Sequence, residues 1–535
     1  MTALPTVAGV FAQTLAALGV TRVFGIPGGG TSPLVAELEK AGIGFVLTHG
    51  ETSAALMAST EGEDTGVPGV VLTSLGPGAA SVVNGLAHCS LDRVPLLVVT
   101  DRLPEAANRP GYHQWIDHSA LFSPLVKASL TLTRHRSQAS ILHAVRLAMA
   151  GIPGPVHLDM SKADARAETD SAPSAVGPGP VVTGPGVPVD VRNRVRDARR
   201  PLLLAGLGAR RLPAGRLDEV AARLRAPVLT TYKGKGAVDE TGPWAAGIIT
   251  GGVPEQELLD AADLVVSVGL DDVELITGMP PLAADRVAID PYVPHPGVLP
   301  PATHSLVGSV ADLLTDLVVD DGASMWVAEQ ASGYRAVLEQ RMAGAPAEGV
   351  GLHPWAIAAS LRDEIGPDAE MAVDAGAHML PMAQAWRSRR PGTFWISNGL
   401  ATMGYALPAA LARSMAHPER HVVCCTGDGG LLMVAGELAT AARHAGHLTI
   451  VVFDDSSLSL IRIKQIGAEV GLAVDFRSPA WAGVAAGFGI TATEVRDGEE
   501  LRAALRSAET GGALSLIVAQ TDRSAYASML STLRG

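Results

Sequence analysis

The chain alternates short apolar runs with stretches whose apolar residues recur at helical spacing. In residues 1–165, Val7 to Leu18 has an amphipathic helical pattern. The same part has strands predicted at 22–25, 44–48, 70–73 and 95–100. The rhythm resumes further along, with strands predicted at 202–205, 228–230, 264–268 and 286–289. Because strands alternate with helices, the pattern predicts parallel, doubly wound sheets.

The segment from about 350 to 535 contains the motif around which the chain is organised. His421 to Cys425 predicts a buried strand, and Leu448 to Phe453 predicts a second one. Between them, a helical pattern follows the turn Gly427-Asp428-Gly429-Gly430. The glycines therefore lie on a strand-to-helix turn of a βαβ unit, where backbone N–H groups and a helix N-terminus can hold a phosphate.

These patterns predict an α/β chain of three doubly wound parallel-sheet domains, at 1–165, 189–325 and 350–535. Residues 166–188 are rich in Pro and Gly and predict an extended linker. A helical pattern over about 323–342 predicts a connector at 326–349. The turn Gly76-Pro77-Gly78 is followed, like the Gly427 turn, by a helix and a strand, which suggests that the first and third domains are related.

Composition excludes several classes of protein. A chain of 535 residues suits about three domains, and its 47% hydrophobic content suits a globular protein with extensive buried surface. The net charge of −13, without long charged blocks, argues against nucleic acid or an anionic membrane as partner. Three cysteines, two of them adjacent, predict neither a disulfide framework nor a metal cluster. With no apparent signal peptide and no apolar run of membrane-spanning length, we expect a cytoplasmic protein.

Asp428 places a carboxylate where a phosphate would otherwise bind. Two anions repel one another unless a cation lies between them, and Mg²⁺ characteristically bridges a carboxylate to phosphate oxygens. Asp455 follows 27 positions later, just after the second predicted strand, so both carboxylates could reach one ion. The alternative is a plain turn, because Asp-Gly is a common turn dipeptide.

Six stretches in order carry a resemblance to a known family. They are Gly25-Ile26-Pro27-Gly28-Gly29, His49-Gly50-Glu51, Ser74-Leu75-Gly76-Pro77-Gly78, Gly154 to Asp159, Asn398 to Gly404 with Leu407 to Ala410, and the Gly427 turn. This order resembles the thiamine diphosphate enzymes of the acetolactate synthase, pyruvate decarboxylase and benzoylformate decarboxylase family. The resemblance implies an N-terminal pyrimidine-binding domain, a central domain and a C-terminal diphosphate-binding domain, with thiamine diphosphate and Mg²⁺ as cofactors.

The resemblance also implies roles for individual residues. Glu51 would hydrogen-bond the aminopyrimidine ring and promote its activation; read without the family, it is a first-turn helix carboxylate. Asp428, Asp455 and the Ser457 carbonyl would hold Mg²⁺. The implied cofactor-binding residues are Gly28, Gly76, His378, Ala401, Met403, Gly427, Gly429 and Gly430.

Three departures from the family pattern qualify these expectations. The family usually has Asn where Asp455 stands, which predicts a working site with altered metal affinity. It often has Gln before the histidine, where this chain has Ala377. Flavin-binding relatives have Arg before the acidic pair Asp271-Asp272, and its absence here argues against bound FAD.

On the substrate side, the resemblance implies that Gln114 points its amide at the reacting carbonyl. His113 is a candidate proton donor or relay, or else a loop histidine in solvent. Lys464 stands where acetolactate synthase has a Trp in its acceptor pocket, so it either binds an anionic substrate or is an ordinary solvated lysine. The implied substrate-binding residues are Gly29, Lys127, Arg462 and Lys464.

The leading hypothesis is decarboxylation of a 2-oxo acid, followed by protonation or carboligation of the resulting carbanion. The alternatives are a C–C lyase of the 2-hydroxyacyl-CoA type and a non-catalytic cofactor-binding relative. A nicotinamide dehydrogenase is disfavoured, since no Gly-x-Gly-x-x-Gly turn is followed by the ribose-binding acid. Because the family builds its site between two subunits, we expect at least a homodimer, and by the resemblance a homotetramer.

Overall fold

The computed structural model describes residues 4–170, 186–275, 278, 281–293, 299, 301–318, 322–465 and 473–534. They form two compact units. The first comprises the first sheet and its helices together with residues 411–416 and 434–445, and the second comprises the rest. Three six-stranded sheets are present, and all their strand pairs are parallel, which confirms the predicted fold class.

The first sheet has the order β2-β1-β3-β4-β6-β5. Its strands are β1 (Arg22–Gly25), β2 (Gly44–Leu47), β3 (Gly69–Thr73), β4 (Leu96–Arg102), β5 (Ser129–Thr131) and β6 (Pro155–Ser161). The helices are α1 (Val7–Ala17), α2 (Ser32–Lys40), α3 (Glu51–Thr65), α4 (Pro77–Ser81), α5 (Val83–Leu91), α6 (His118–Phe122), α7 (Ser137–Met149) and α8 (Lys162–Arg166). Every residue of β3 is buried, as expected where helices cover both faces of a parallel sheet.

The second sheet has the order β12-β11-β10-β7-β8-β9. Its strands are β7 (Pro201–Ala205), β8 (Val228–Thr230), β9 (Ala245–Ile248), β10 (Leu264–Val268), β11 (Asp285–Asp290) and β12 (His304–Val307). Its helices are α9 (Val189–Asp197), α10 (Arg216–Leu224), α11 (Gln256–Ala261) and α12 (Val310–Leu317), and α13 (Ala328–Ala343) is the predicted connector helix. One apolar cluster covers each face of this sheet.

The third sheet has the order β14-β13-β15-β16-β18-β17. Its strands are β13 (Glu370–Val373), β14 (Phe394–Ile396), β15 (Val422–Gly427), β16 (Leu448–Asp454), β17 (Thr491–Val495) and β18 (Ser515–Gln520). Its helices are α14 (Pro354–Glu364), α15 (Met379–Ala385), α16 (Ala406–Ala416), α17 (Asp428–Met433), α18 (Glu437–His444), α19 (Ser459–Lys464), α20 (Trp481–Gly487), α21 (Gly498–Gly511) and α22 (Ala525–Arg534).

The predicted strands are present, with ends that differ by one or two residues. The helical pattern after the Gly427 turn is interrupted between α17 and α18, where Gly436 is a weak helix former. Of the linker predicted at 166–188, residues 171–185 lie outside the described part of the chain. Within the described residues, no helix combines the length and apolarity needed to cross a bilayer.

Candidate active site

The site in the second unit lies at the carboxyl edge of the third sheet. There β14, β13, β15 and β16 are adjacent, so the segments that follow them meet. They surround a cavity of about 260 Å³. The predicted residues that line it are His378, Ala401, Met403, Gly427, Asp428, Gly429, Gly430, Asp455, Ser457 and Lys464. The structure thus brings together every residue of this domain that was predicted for cofactor or metal.

Asp428, which is buried, and Asp455, which is half-buried, form an acidic pair. Asp428 Oδ2 accepts hydrogen bonds from the Ser456 amide at 2.7 Å and from Ser478 Oγ at 3.0 Å, while Asp455 accepts from Ser457 N and Ser459 Oγ. Burial raises the pKa of Asp428 to about 7, and the charge of Asp455 adds to this shift. Burial likewise raises the pKa of Asp455 to about 6. Two hard-oxygen ligands that resist ionising side by side fit a divalent cation such as Mg²⁺.

His378 and the glycine turn fit a diphosphate. The Nε2 atom of His378 is buried and has no hydrogen-bond partner among the described residues. Burial lowers the pKa of His378 to about 4, so the ring is neutral at pH 7 and would gain a proton beside an anion. A side chain at Gly430 would lie 2.4 Å from Asp374 Oδ2, so only glycine lets the turn approach this closely.

Asp374, just after β13, is a site residue that sequence reasoning missed. Its buried carboxylate accepts from Ala375 N and Tyr405 N at Oδ1, and from Gly404 N and Thr426 Oγ1 at Oδ2, all within 3.1 Å. Burial nevertheless raises its pKa to about 6. It ties the Met403 turn to the start of the Gly427 turn. The available signal was an acidic residue directly after a short apolar run.

Ala401 and Met403 form another wall of the cavity. Ala401 has a φ of 52°, in the left-handed region that is costly for a residue with a Cβ atom. The backbone here is therefore constrained by its surroundings.

The two predicted substrate cations of α19 differ in their partners. Lys464 lines the cavity and is exposed, and its ammonium makes no ion pair within the described chain. Arg462 instead pairs with Asp475. Of these two cations, Lys464 is therefore the one that lines the cavity and has no ion pair among the described residues.

In the first unit, the predicted residues follow β1, β2 and β3, which are adjacent. Glu51 is the first residue of α3, and its Oε1 lies 3.1 Å from the position that a Cβ of Gly78 would take. Gly28 packs against Ser74, and Gly76 packs against the backbone carbonyl of Gln114. The structure therefore gathers Gly28, Glu51, Gly76 and Gln114 at one edge of this sheet.

The other predicted residues of this unit are His113, Gly29 and Lys127, and within the described part of the chain no side-chain hydrogen bond joins any of them to the residues gathered at the sheet edge. His113 is exposed, and a side chain at Gly29 would meet nothing within 4 Å. The ammonium of Lys127 donates to the carbonyls of Ala150 and Ile152, and burial lowers its pKa. Their substrate roles stay predictions.

Sequence reasoning also missed a chain of hydrogen bonds behind Gly76. The Gly76 amide donates to His118 Nε2, so neutral His118 carries its proton on Nδ1 and faces Thr100 Oγ1 at 3.3 Å. Thr100 Oγ1 lies 2.9 Å from His157 Nε2. Burial lowers the pKa of His157 to about 3 and also lowers the pKa of His118, which favours the neutral form of both rings.

A parallel sheet that brings a glycine turn, a histidine and two carboxylates to a cavity at its carboxyl edge defines a class of α/β protein whose site suits an anionic cofactor. Three family profiles match the chain, described as the N-terminal (residues 5–121), central (190–317) and C-terminal (374–519) domains of thiamine pyrophosphate enzymes. The chain belongs to the thiamine pyrophosphate-dependent enzymes of the acetolactate synthase family.

The similarity to known proteins covers nearly the whole chain. Acetolactate synthase of Bacillus subtilis is 28% identical, covering 91% of this chain and 88% of its own. Acetolactate synthase of Arthrospira platensis is 31% identical over 86% and 84%. A probable 2-ketoarginine decarboxylase of Pseudomonas aeruginosa is also 31% identical, over 94% and 92%. The chain is thus similar to two acetolactate synthases and to a probable 2-ketoarginine decarboxylase, and it is a thiamine diphosphate-dependent enzyme of the decarboxylase and carboligase type.

Proposed function

We propose that the protein binds thiamine diphosphate through Mg²⁺, decarboxylates a 2-oxo acid, and then protonates the product carbanion or joins it to a carbonyl acceptor. The observation that supports this most directly is the cavity after β13 to β16, where His378, the Gly427 turn and two carboxylates meet. When bound, thiamine diphosphate supplies a nucleophilic carbon and an electron sink.

In this proposal the chain divides cofactor binding among three groups. Asp428, Asp455 and the Ser457 carbonyl hold the metal, and the metal in turn neutralises the two carboxylates. The amides of Gly429 and Gly430 and the ring of His378 hold the diphosphate. Ala401 and Met403 shape the remaining wall. The Asp374 carboxylate fixes their turn against β15, because it accepts from the amides of Gly404 and Tyr405 and from the Thr426 hydroxyl of β15.

Glu51 holds a proton at its carboxyl group and exchanges it with the aminopyrimidine ring. Glu51 stands at the first position of α3, directly after the turn that follows β2. Gln114 positions the reacting carbonyl, and its own backbone carbonyl packs on Gly76. His113 is the residue that delivers or receives the product proton.

Lys464 pairs with the carboxylate of the 2-oxo acid or with a second anionic group on it. The charge of Arg462 is already balanced by Asp475, and Lys127 is committed to two carbonyls. Replacing Lys464 with Met should therefore raise KM for anionic substrates more than for neutral acceptors. An equal effect on both would assign Lys464 to the solvated surface.

The first experiment is a panel of 2-oxo acids with the Mg²⁺-loaded enzyme, with and without aldehyde or keto-acid acceptors, read by product mass. An aldehyde product indicates protonation, and a product heavier by the acceptor indicates ligation. No turnover with any 2-oxo acid, together with no thiamine diphosphate binding, would refute the proposal. A C–C lyase would instead cleave a 2-hydroxyacyl thioester.

Glu51→Gln tests the activating role. The variant should lose at least about a thousandfold in kcat, since an essential proton transfer is removed, while thiamine diphosphate affinity stays within a few-fold. Glu39→Gln, an exposed glutamate on α2, is the matched control and should behave as wild type. Turnover of Glu51→Gln near the wild-type rate would refute the assignment.

A homodimer at minimum, and a homotetramer by family resemblance, is part of the proposal. Sedimentation analysis together with activity at matched concentrations tests it. A fully active monomer would contradict a site shared between subunits.

A further inference from the structure

The central sheet has the strand order of a dinucleotide-binding fold. Numbered from its first strand, the order β12-β11-β10-β7-β8-β9 is 6-5-4-1-2-3. In such sheets ligands bind in the crevice between strands 1 and 4, and the turn after strand 1 holds the phosphates on its amides. Here that crevice lies after β7 and β10, and the first turn is Gly206-Leu207-Gly208.

The side chain of Glu274 occupies this crevice. Its Oε2 accepts from Leu207 N at 2.8 Å and from Asp271 N at 2.9 Å, and its Oε1 accepts from Thr231 Oγ1 at 2.5 Å. These donors follow β7, β10 and β8, so one carboxylate joins the ends of three strands. Glu274 is 2% exposed, and burial raises its pKa to about 8.

Among the described residues, the backbone around Glu274 is closely packed. A Cβ on Gly206 would lie 2.4 Å from Glu274 Oε2, and one on Gly208 would lie 2.7 Å from the Cα of Gly269. The turns after β7 and β10 are therefore in direct contact. The Leu207 amide, which would bind a phosphate, already donates to the protein's own carboxyl group.

The same turn reaches the cofactor loop of the third sheet. Glu274 ends a 3₁₀ turn, Asp272–Glu274. The side-chain amide of Asn398 donates to the carbonyls of Val273 and Glu274, at 3.3 Å each. Asn398 begins the segment that leads to Ala401 and Met403, and it is 6% exposed.

We propose that Glu274 takes the place of a nucleotide phosphate in the central domain and acts as a positioning residue for the cofactor loop. By holding the 3₁₀ turn against β7 and β8, it fixes the two carbonyls on which Asn398 rests. The central domain thereby supports the loop of Ala401 and Met403 without a bound nucleotide. This second part of the inference rests on the proposed function.

The test compares Glu274→Ala with Glu274→Gln. The glutamine keeps one oxygen for both backbone amides, and Thr231 can turn its hydroxyl to accept from the new NH₂ group, so it should restore what alanine loses. We expect Glu274→Ala to weaken thiamine diphosphate binding at fixed Mg²⁺ by at least tenfold, measured by calorimetry, and Glu274→Gln to remain within threefold of wild type. At saturating cofactor, kcat of both should stay within threefold.

Glu255→Ala is the matched control. Glu255 is also a buried glutamate of the central domain, and it accepts from the amides of Thr250 and Gly252. Its loss should lower the thermal unfolding midpoint without weakening cofactor binding. If both alanine variants weaken cofactor binding equally, Glu274 has only a general structural role and the positioning claim is overturned. Should Glu274→Ala not fold, Asn398→Ala breaks the same link and should show the same tenfold loss.

A second experiment measures nucleotide binding and does not depend on thiamine diphosphate. Equilibrium dialysis of the full chain with ADP or FAD at 1 mM, on the order of a physiological nucleotide level, should show no binding to wild type. Stoichiometric binding of either nucleotide to wild type would overturn the claim that the crevice is filled. Failure of wild type to bind thiamine diphosphate would instead refute the proposed function and leave this arm unaffected.

Discussion

Replacing Asp374 with Asn should separate the two turns that shape the cofactor cavity. Each carboxylate oxygen of Asp374 faces two donors, namely Ala375 N and Tyr405 N on one side and Gly404 N and Thr426 Oγ1 on the other. An asparagine must direct its NH₂ group at one of these pairs. The better orientation faces Thr426, whose hydroxyl can turn to accept, but it still leaves the Gly404 amide without an acceptor.

The expected loss of cofactor affinity follows from the number of hydrogen-bond donors left without an acceptor. One buried backbone N–H without a partner costs about 1–3 kcal/mol. The unpaired amide, that of Gly404, belongs to the Met403 turn. We expect this turn to relax away from its cofactor-binding position, which recovers much of the cost in the free protein. Cofactor binding must then restore the turn and pay that cost again. At about 1.4 kcal/mol per factor of ten, thiamine diphosphate affinity should fall roughly tenfold to a hundredfold. Asp374→Ala leaves three amides unpaired and should lose about 3–5 kcal/mol of stability.

The assay is a cofactor titration at fixed Mg²⁺ by calorimetry, paired with thermal unfolding with and without cofactor. Asp522→Asn is the matched control, because Asp522 is a buried aspartate that accepts the amides of Gly349 and Ser524 away from the cavity after β13 to β16. It should lose stability alone. Unchanged cofactor affinity and unchanged unfolding in Asp374→Asn would refute the reasoning.

Two further predictions concern the glycine loop and the metal pair. Gly30→Ala should destabilise the protein by about 1–3 kcal/mol in thermal unfolding, because its Cβ would overlap the Asp101 carboxylate. Gly29→Ala is the control: its Cβ would have nothing within 4 Å, so its stability should stay within about 0.5 kcal/mol of wild type. Equal effects of the two substitutions would contradict this prediction. Since the pKa values of Asp428 and Asp455 are raised to about 7 and 6, the metal-free protein should lose stability as pH rises from about 4 to 7, and Mg²⁺ binding should strengthen over the same range. Asp455→Asn removes one charge, so the midpoint of Mg²⁺ binding, followed by calorimetry against pH, should move to lower pH; an unchanged midpoint would show that the two carboxylates do not interact.

Much of the fold could be predicted from the order of apolar runs. Buried central strands such as β3, β7 and β15 are continuous in apolar residues, and their parallel pairing follows from the helices between them. In the third sheet, β13, β14, β17 and β18 were not predicted. For the edge strand β17 the reason is that three of its five residues are exposed and its apolar residues alternate with polar ones. Periodicity detects burial, so a strand that buries little leaves little trace in the sequence.

The order of the six motifs was enough to predict the family, and an acid between glycines on a strand-to-helix turn predicted a metal–diphosphate site. Which charged side chains have partners of their own could be read only from the folded chain. Lys464 faces the cavity while Arg462 and Lys127 have partners of their own, and a buried carboxylate, Glu274, fills the crevice of the central sheet. The physical reason is that hydrogen bonds and ion pairs between residues far apart in the chain depend on which loops come together at a sheet edge. The type of a residue does not show which loops these are.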